Sequence, residues 1–275
     1  MRRLLLLGGV SILLAACGGG GSDGSGPAAP TAGAPTIAPA STARTQLTGP
    51  VNAIGTSYPI TTPAGDGHGS AGMSDGTNIA FTVVVPSGFD RTKTYPVLLA
   101  FPPGGQDQET TDSVVDRVWK VEAKQRGWVV VSPVAPGALF YEPSSAKYVP
   151  ELVRQVEGAY HPEGGKLHLA GVSNGGLSAY RAALDHPDTY FDLLTFPGMP
   201  PEQSDDVAKL KALPTADWVG ELDSGWREAG EATIAKLKSL GDEAQITVVP
   251  GETHILESVG GKQYFDWLDR HRPGH

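Results

Sequence analysis

The chain has 275 residues, of which 30 are acidic and 21 are basic, so its formal net charge is −9 at neutral pH. This acidic balance argues against nucleic acid as a partner, because a surface that binds nucleic acid must be basic to neutralise phosphates. Cys17 is the single cysteine, which excludes a disulfide bond within the chain.

The first residues are organised like an export signal. Arg2 and Arg3 make the start basic, and the apolar segment that follows is too short for a stable membrane-spanning helix. This segment ends in Leu14-Ala15-Ala16-Cys17, which resembles a bacterial lipobox. The resemblance implies removal of residues 1–16 as a lipoprotein signal peptide and lipidation of Cys17, which would anchor the exported protein in the bacterial cell envelope, in the periplasm or on the outer surface. The alternative is a plain signal peptide with an incidental cysteine.

Residues 17–45 are rich in Gly, Ser, Pro, Ala and Thr, and this composition predicts a flexible tether without a core. Residues 46–275, about 230 in number, suit a single α/β domain. After residue 80, strand-like and helix-like patterns alternate, which favours a mostly parallel sheet with helices on both faces. The helix candidates are residues 112–126, ended by Gly127, and residues 146–160.

Residues 67–72 match the glycine pattern G-x-G-x-x-G of dinucleotide-binding loops. The sequence gives no sign of a strand before this pattern or of a helix after it, and both are needed for such a site. We therefore predict a flexible loop here and no dinucleotide.

Residues 95–101 form a nearly continuous apolar run, which is typical of a strand that is buried on both faces. The loop that follows reads Pro102-Pro103-Gly104-Gly105-Gln106. A turn of this composition would end the strand at the edge of the predicted sheet.

Residues 171–175 have the pattern G-x-S-x-G with Ser173 at its centre, between a strand-like run at 166–170 and a helical spacing that includes Tyr180 and Leu184. In this context the pattern indicates a nucleophile elbow, a sharp turn that exposes the serine hydroxyl at the top of a sheet. Because the chain contains 36 glycines, a turn with an ordinary serine is the alternative.

An acid and a base that follow the serine, in that order, would complete a catalytic triad. Asp223 ends the strand candidate 218–223, and His254 lies in the loop after the strand candidate 244–249. A neutral imidazole must take the serine proton during attack, and a carboxylate orients that imidazole. We predict Ser173, Asp223 and His254 as the triad.

Other acids and histidines fit these roles less well. Glu221 would share a face with Asp223 but lie deeper in the strand, and Asp217 sits early in the strand, away from the active edge. His68 precedes the serine in a glycine-rich stretch. His168 lies inside the strand that leads to the elbow and is predicted to be a packed histidine.

Two backbone N–H groups are expected to bind the oxyanion of the tetrahedral intermediate. Asn174, which follows the serine, is predicted to supply one of them. Gly105 and Gln106 are both candidates for the second donor, and the sequence does not choose between them. Pro102 and Pro103 have no N–H to donate.

Taken together, these segments resemble an α/β-hydrolase. Residues 171–176 and the following Ala179-Tyr180-Arg181 are similar to the polyhydroxybutyrate depolymerase and feruloyl esterase branch of serine esterases, and residues 81–89 are similar to the strand and turn that open those domains. The resemblance covers roughly residues 75–270 and implies that residues 46–275 form an α/β-hydrolase catalytic domain. It implies hydrolysis of carboxylic esters through an acyl-enzyme, without a metal or an organic cofactor.

The interval between the strand near 191–196 and the strand near 216–222 is short, which predicts an open site without a large lid. Such a site would accept small or polymer-borne esters, including acetyl, feruloyl and hydroxybutyryl esters. Tyr141, Met199 and Trp226 are candidates for the substrate pocket, with general packing as the alternative. A non-catalytic surface-binding lipoprotein and a serine peptidase of the same fold are the alternative functions.

Overall fold

The structure is a computed structural model that describes residues 60–202 and 205–274. The predicted signal peptide (1–16) and tether (17–45) lie outside the described residues, as do Cys17 and the first part of the predicted catalytic domain. Within the described ranges, no helix is both long enough and apolar enough to cross a bilayer.

An eight-stranded sheet forms the centre of the domain, in the order β1-β2-β4-β3-β5-β6-β7-β8. The pairs β1–β2 and β2–β4 are antiparallel, and every other neighbouring pair is parallel. The prediction of a mostly parallel α/β sheet is therefore confirmed. The strands are β1 Gly67–Gly72, β2 Asn78–Val84, β3 Val97–Phe101, β4 Val129–Pro133, β5 Leu167–Gly171, β6 Tyr190–Thr195, β7 Thr215–Gly220 and β8 Ala244–Val249.

Helices connect the parallel strands. They are α1 Gln108–Val114, α2 Lys120–Arg126, α3 Pro143–Ala146, α4 Val149–Tyr160, α5 Asn174–Asp185, α6 Ser224–Ser239 and α7 Gly261–Leu268, with a π-helical stretch Val115–Trp119 between α1 and α2. Short 3₁₀ helices occur at Glu163–Gly165, Pro187–Thr189, Val207–Leu210 and Asp269–His271.

The two faces of the sheet carry two separate hydrophobic cores. In β3, Val97, Leu99 and Phe101 join the core that is built with α4, α5 and α6, whereas Leu98 and Ala100 join the core that is built with α2 and α7. This division follows from the alternation of side chains along a strand. All five residues of β3 are buried, which explains why the sequence is apolar without interruption there.

The prediction of a flexible loop at residues 67–72 is wrong, because this segment is strand β1. A Cβ atom on Gly69 would lie 2.6 Å from the carbonyl oxygen of Thr61 and would also clash with the ring of Phe81 on β2. The glycine therefore permits close packing within a strand, and it does not mark a flexible turn.

The predicted helix 112–126 begins earlier, at Gln108, because Asp107 caps it by accepting the N–H of Thr110 at 2.8 Å. It ends at Gly127, which has a φ of 78°, as the glycine in the sequence indicates. Between β6 and β7, the described residues contain only the short 3₁₀ helix Val207–Leu210 and no large lid.

Candidate active site

Ser173 lies on the turn between β5 and α5, with a φ of 56° and a ψ of −118°. An ordinary residue adopts this conformation only when its surroundings enforce it. Gly171 and Gly175 allow the enforced turn, since a Cβ on Gly171 would clash with the carbonyl oxygen of Gly175, and a Cβ on Gly175 with that of Phe101. The turn thus has the features of a nucleophile elbow.

The structure brings Ser173, His254 and Asp223 together at the carboxyl ends of β5, β8 and β7. His254 Nε2 lies 2.8 Å from Ser173 Oγ, and His254 Nδ1 lies 2.7 Å from Asp223 Oδ2. With its proton on Nδ1, the imidazole donates to the carboxylate and accepts the serine hydroxyl proton at Nε2. This arrangement can activate a serine as a nucleophile.

Gly220, at the end of β7, brings the loops of the acid and the base together. A Cβ on Gly220 would clash with the carbonyl oxygens of Glu252 and Thr253 in the loop after β8. The backbone N–H of Leu222 also donates to the carbonyl oxygen of Glu252 at 2.8 Å. Asp223 follows Leu222, and His254 follows Thr253, so these contacts position the acid and the base relative to each other.

The competing acids have other partners. Glu221 accepts the backbone N–H of Gly251 at 2.8 Å and so holds the loop after β8. Asp217 is fully buried inside β7. Asp223 is the carboxylate that bonds to the imidazole of His254.

The other histidines that the sequence analysis considered lie in different settings. His168 is buried in β5 and pairs with Asp192 Oδ2 through its Nδ1 at 2.6 Å, so it is a packed histidine. His68 lies on β1, and its Nε2 is 3.0 Å from the carboxylate of Asp112.

The structure separates the two candidate oxyanion donors in the loop after β3. The N–H of Gln106 donates to the carbonyl of Pro103 at 3.1 Å, and its buried side chain donates to Ser178 Oγ and accepts from the N–H of Phe140. Gln106 therefore holds the framework together and does not fit the predicted role of donor. Gly105 is exposed and is the remaining candidate.

Asn174 contributes a side-chain contact in addition to its backbone. Its Nδ2 donates to the carbonyl oxygen of Gly104 at 2.9 Å. Because that carbonyl and the N–H of Gly105 belong to one planar peptide unit, the bond fixes the orientation of the candidate donor. From the sequence Asn174 is predicted to have only a backbone role, since a contact between residues so far apart in the chain leaves no local pattern.

The predicted pocket residues lie at the same edge of the sheet. Trp226 packs beside the base, with ring centroids 5.3 Å apart and an angle of 50° between the planes of its ring and that of His254. Tyr141 and Met199 are partly buried and follow the carboxyl ends of β4 and β6. Of the three, Trp226 is the residue with a direct contact to the triad in the described structure.

Two exposed apolar side chains flank the acid and the base. Leu222, next to Asp223, is 62% exposed, and Ile255, next to His254, is 61% exposed. Neither residue was predicted from the sequence. Their positions beside the triad residues were the signal that the sequence offered.

Comparison with solved structures identifies similar folds. A thermostable esterase matches with a TM-score of 0.57 and 16% identity over 75% of this chain and 60% of its own. An S-formylglutathione hydrolase from Agrobacterium tumefaciens matches with a TM-score of 0.55 and 18% identity, covering 77% of this chain and 96% of that chain. LpqC, a poly(3-hydroxybutyrate) depolymerase from Bordetella parapertussis, matches with a TM-score of 0.54 and 16% identity over 77% of this chain and 92% of its own.

This chain therefore spans less than two thirds of the thermostable esterase, and nearly the full length of the other two proteins. No protein-family model matches the sequence, and no curated protein sequence matches it. The similarities establish the α/β-hydrolase fold that the sequence predicted. At these sequence identities only the fold can be taken as shared, so the activity must be argued from the site.

Proposed function

We propose that the protein is a serine hydrolase that cleaves carboxylic esters through an acyl-enzyme intermediate. The observation that carries this proposal is the hydrogen-bonded line from Asp223 through His254 to Ser173, at the open edge of an α/β-hydrolase sheet. The names of the three similar structures, all of them esterases or related hydrolases, support the same reaction class.

In the proposed reaction, Ser173 Oγ attacks the ester carbonyl carbon while His254 Nε2 takes the hydroxyl proton. Asp223 stabilises the imidazolium. The tetrahedral intermediate then breaks its bond to the alcohol oxygen, and the alcohol leaves with the proton from His254. Water, activated by the same imidazole, attacks the acyl-enzyme, so that the acid departs and Ser173 regains its proton.

The N–H groups of Asn174 and Gly105 are proposed to bind the oxyanion in both steps. A donor of this kind typically contributes about 10²–10³ in kcat. The bond from the Asn174 side chain to Gly104 supports this role for Gly105, because a peptide that is held in advance does not have to reorganise during the reaction.

We propose esters with an apolar part, either small or polymer-borne, as the substrate class. The ring of Trp226 lies beside the base, and the exposed Leu222 and Ile255, the sequence neighbours of Asp223 and His254, offer further apolar surface. Acetyl, feruloyl and hydroxyalkanoate esters all meet this description, and a panel of these esters would rank them by kcat/KM.

We also propose that the protein is exported and anchored through a lipidated Cys17, so that it acts on its substrate at the cell envelope. In a bacterial host the protein should partition with membranes, and Cys17→Ser should release or mislocalise it. Mass spectrometry that finds an unmodified mature N-terminus would refute the anchor.

Labelling with a fluorophosphonate tests the reaction class, because this reagent loses fluoride to an activated serine and forms a covalent phosphonyl ester. The wild type should be labelled stoichiometrically at Ser173, and Ser173→Ala should not be labelled. A folded wild type that resists labelling and cleaves no ester would favour a non-catalytic binding protein. Faster cleavage of peptides than of matched esters would favour a peptidase.

A further inference from the structure

A buried carboxyl group that the triad does not use lies behind the nucleophile elbow. Asp217 is fully buried in β7, and its Oδ1 accepts the hydroxyl of Thr195 at 2.8 Å and the backbone N–H of Gly198 at 3.1 Å. Burial of an ionisable group costs free energy, and these two hydrogen bonds compensate part of that cost.

The bond from Gly198 anchors the segment 196–198, which follows β6, and the bond from Thr195 anchors the last residue of β6, directly before this segment. On its other side, this segment meets the elbow: the N–H of Ser173 donates to the carbonyl of Pro197 at 3.0 Å, and the N–H of Phe196 donates to the carbonyl of Gly171 at 3.1 Å. The segment thus joins the buried carboxyl group to the two residues that define the turn of the nucleophile.

Close packing makes this connection stiff. A Cβ on Gly176, in the first turn of α5, would clash with the carbonyl oxygen of Pro197, and a Cβ on Gly198 would lie 2.5 Å from the side chain of Thr195. A displacement of segment 196–198 would therefore be transmitted to the elbow and would not be absorbed between them.

The surroundings of Asp217 shift the pKa of its carboxyl group. Burial raises its pKa well above the usual range, and the charge of Asp223 acts in the same direction. Oδ1 accepts both hydrogen bonds, while Oδ2 has no hydrogen-bond partner among the described residues and lies against Gly230. An asparagine has the same shape and could accept the same two bonds.

We propose that Asp217 is a positioning residue for the reaction: through Thr195 and Gly198 it holds segment 196–198, which holds Ser173 in its left-handed backbone conformation. The inference deepens the proposed function and rests on it, since it takes Ser173 as the nucleophile. Ser173 keeps a φ of 56° only while its surroundings enforce it.

The test compares Asp217→Asn, Asp217→Ala and Thr195→Val with the wild type in ester hydrolysis, with kcat expressed per folded enzyme. Asp217→Ala should lower kcat and the fluorophosphonate labelling rate about 10- to 100-fold with KM within about twofold, because small misplacements of a nucleophile have effects of this size. Thr195→Val should lower kcat by a smaller factor, about three- to tenfold, and Asp217→Asn should retain most of the activity.

Asp192→Ala is the matched control, because it removes another buried carboxylate from the neighbouring strand β6. It should reduce Tm and leave kcat per folded enzyme within about twofold of the wild type. If Asp217→Ala does not fold, the other two variants decide the result.

A purely structural role would overturn the proposal: the Asp217 and Thr195 variants would then lower Tm like the control while kcat per folded enzyme stayed unchanged. A loss in Asp217→Asn as large as in Asp217→Ala would also overturn it. Failure of the wild type itself to hydrolyse esters would instead refute the proposed function, and this inference with it.

Discussion

Among the described residues, two histidine–aspartate pairs are joined through Nδ1 of the histidine, with nearly equal hydrogen bonds and very different surroundings. His254 and Asp223 are joined at 2.7 Å, and their side chains are 38% and 14% exposed, whereas His168 and Asp192 are joined at 2.6 Å and are both buried. In each pair the aspartate bonds Nδ1 of the histidine. The geometry of the pair alone therefore does not define a catalytic site.

The second ring nitrogen distinguishes the two pairs. Nε2 of His254 meets Ser173 Oγ at 2.8 Å on the open edge, while Nε2 of His168 has no hydrogen-bond partner among the described residues and lies in the sheet interior. The ring of His168 packs on Trp128, with centroids 4.6 Å apart. Catalysis requires a nucleophile and access for the substrate, and only the first pair has both.

Replacement of the nucleophile gives the largest expected effect and tests whether the pair His254–Asp223 is catalytic. Ser173→Ala should lower kcat for short p-nitrophenyl esters by about 10⁶, because a triad without its nucleophile loses the covalent pathway. Circular dichroism should show an unchanged fold. Retention of more than about a tenth of the activity would exclude Ser173 as the nucleophile.

Matched changes of the two aspartates sharpen the comparison directly. Asp223→Asn should lower kcat by roughly 10⁴, since the imidazole loses the carboxylate that fixes its tautomer. Asp192→Asn should leave kcat within about threefold while it changes the thermal stability. Glu221→Gln is a further control and should lower kcat far less than Asp223→Asn, because Glu221 accepts the N–H of Gly251 and does not bond to the imidazole. Equal losses of kcat in the Asp223 and Asp192 variants would contradict the assignment.

A third prediction concerns another buried carboxyl group, that of Asp217 in β7. In the unfolded chain its carboxyl group titrates near pH 4, whereas burial raises the pKa in the folded protein. As pH rises above about 4, the unfolded state releases a proton that the folded state keeps, so this group lowers the free energy of unfolding by up to about 1.4 kcal/mol per pH unit until the folded carboxyl ionises.

Asp217→Asn removes this titration. Urea unfolding at pH 5, 6 and 7 should therefore show the stability of Asp217→Asn rising relative to the wild type as pH increases. Parallel curves of unfolding free energy against pH would mean that the pKa of Asp217 is not raised in the folded protein.

Local patterns sufficed where a few neighbouring residues determine the backbone. Strand β8 lies at Ala244–Val249 as its β-branched residues predict, and α2 ends at Gly127, where a left-handed residue is needed. The turn at Ser173 was predictable for the same reason, because Gly171 and Gly175 relieve contacts within and beside that turn.

Contacts between distant segments were not predictable from one sequence. Strand β1 was missed because the reason for Gly69 is the ring of Phe81 on the paired strand. The bond from Asn174 to Gly104 spans 70 residues, and that from Thr195 to Asp217 spans 22. Patterning marks which face of an element is apolar, but the pairing of individual polar groups depends on how the elements are packed.

The smallest expected effect concerns the apolar rim of the open site, defined as Leu222 and Ile255. Leu222→Ser and Ile255→Ser should each lower kcat/KM for a long-chain acyl ester by about three- to tenfold relative to an acetyl ester, because each removes part of the roughly 1.5–3 kcal/mol that burial of such a side chain typically contributes.

Val121, 59% exposed on α2, offers a matched control. Val121→Ser changes a similar exposed side chain that is not adjacent in sequence to a triad residue, and the preference for chain length should stay unchanged. The ratio of kcat/KM between octanoyl and acetyl p-nitrophenyl esters measures the effect without interference from the amount of folded enzyme. If the rim variants and Val121→Ser shift this ratio equally, or if none of them shifts it, the apolar part of the substrate does not contact Leu222 or Ile255.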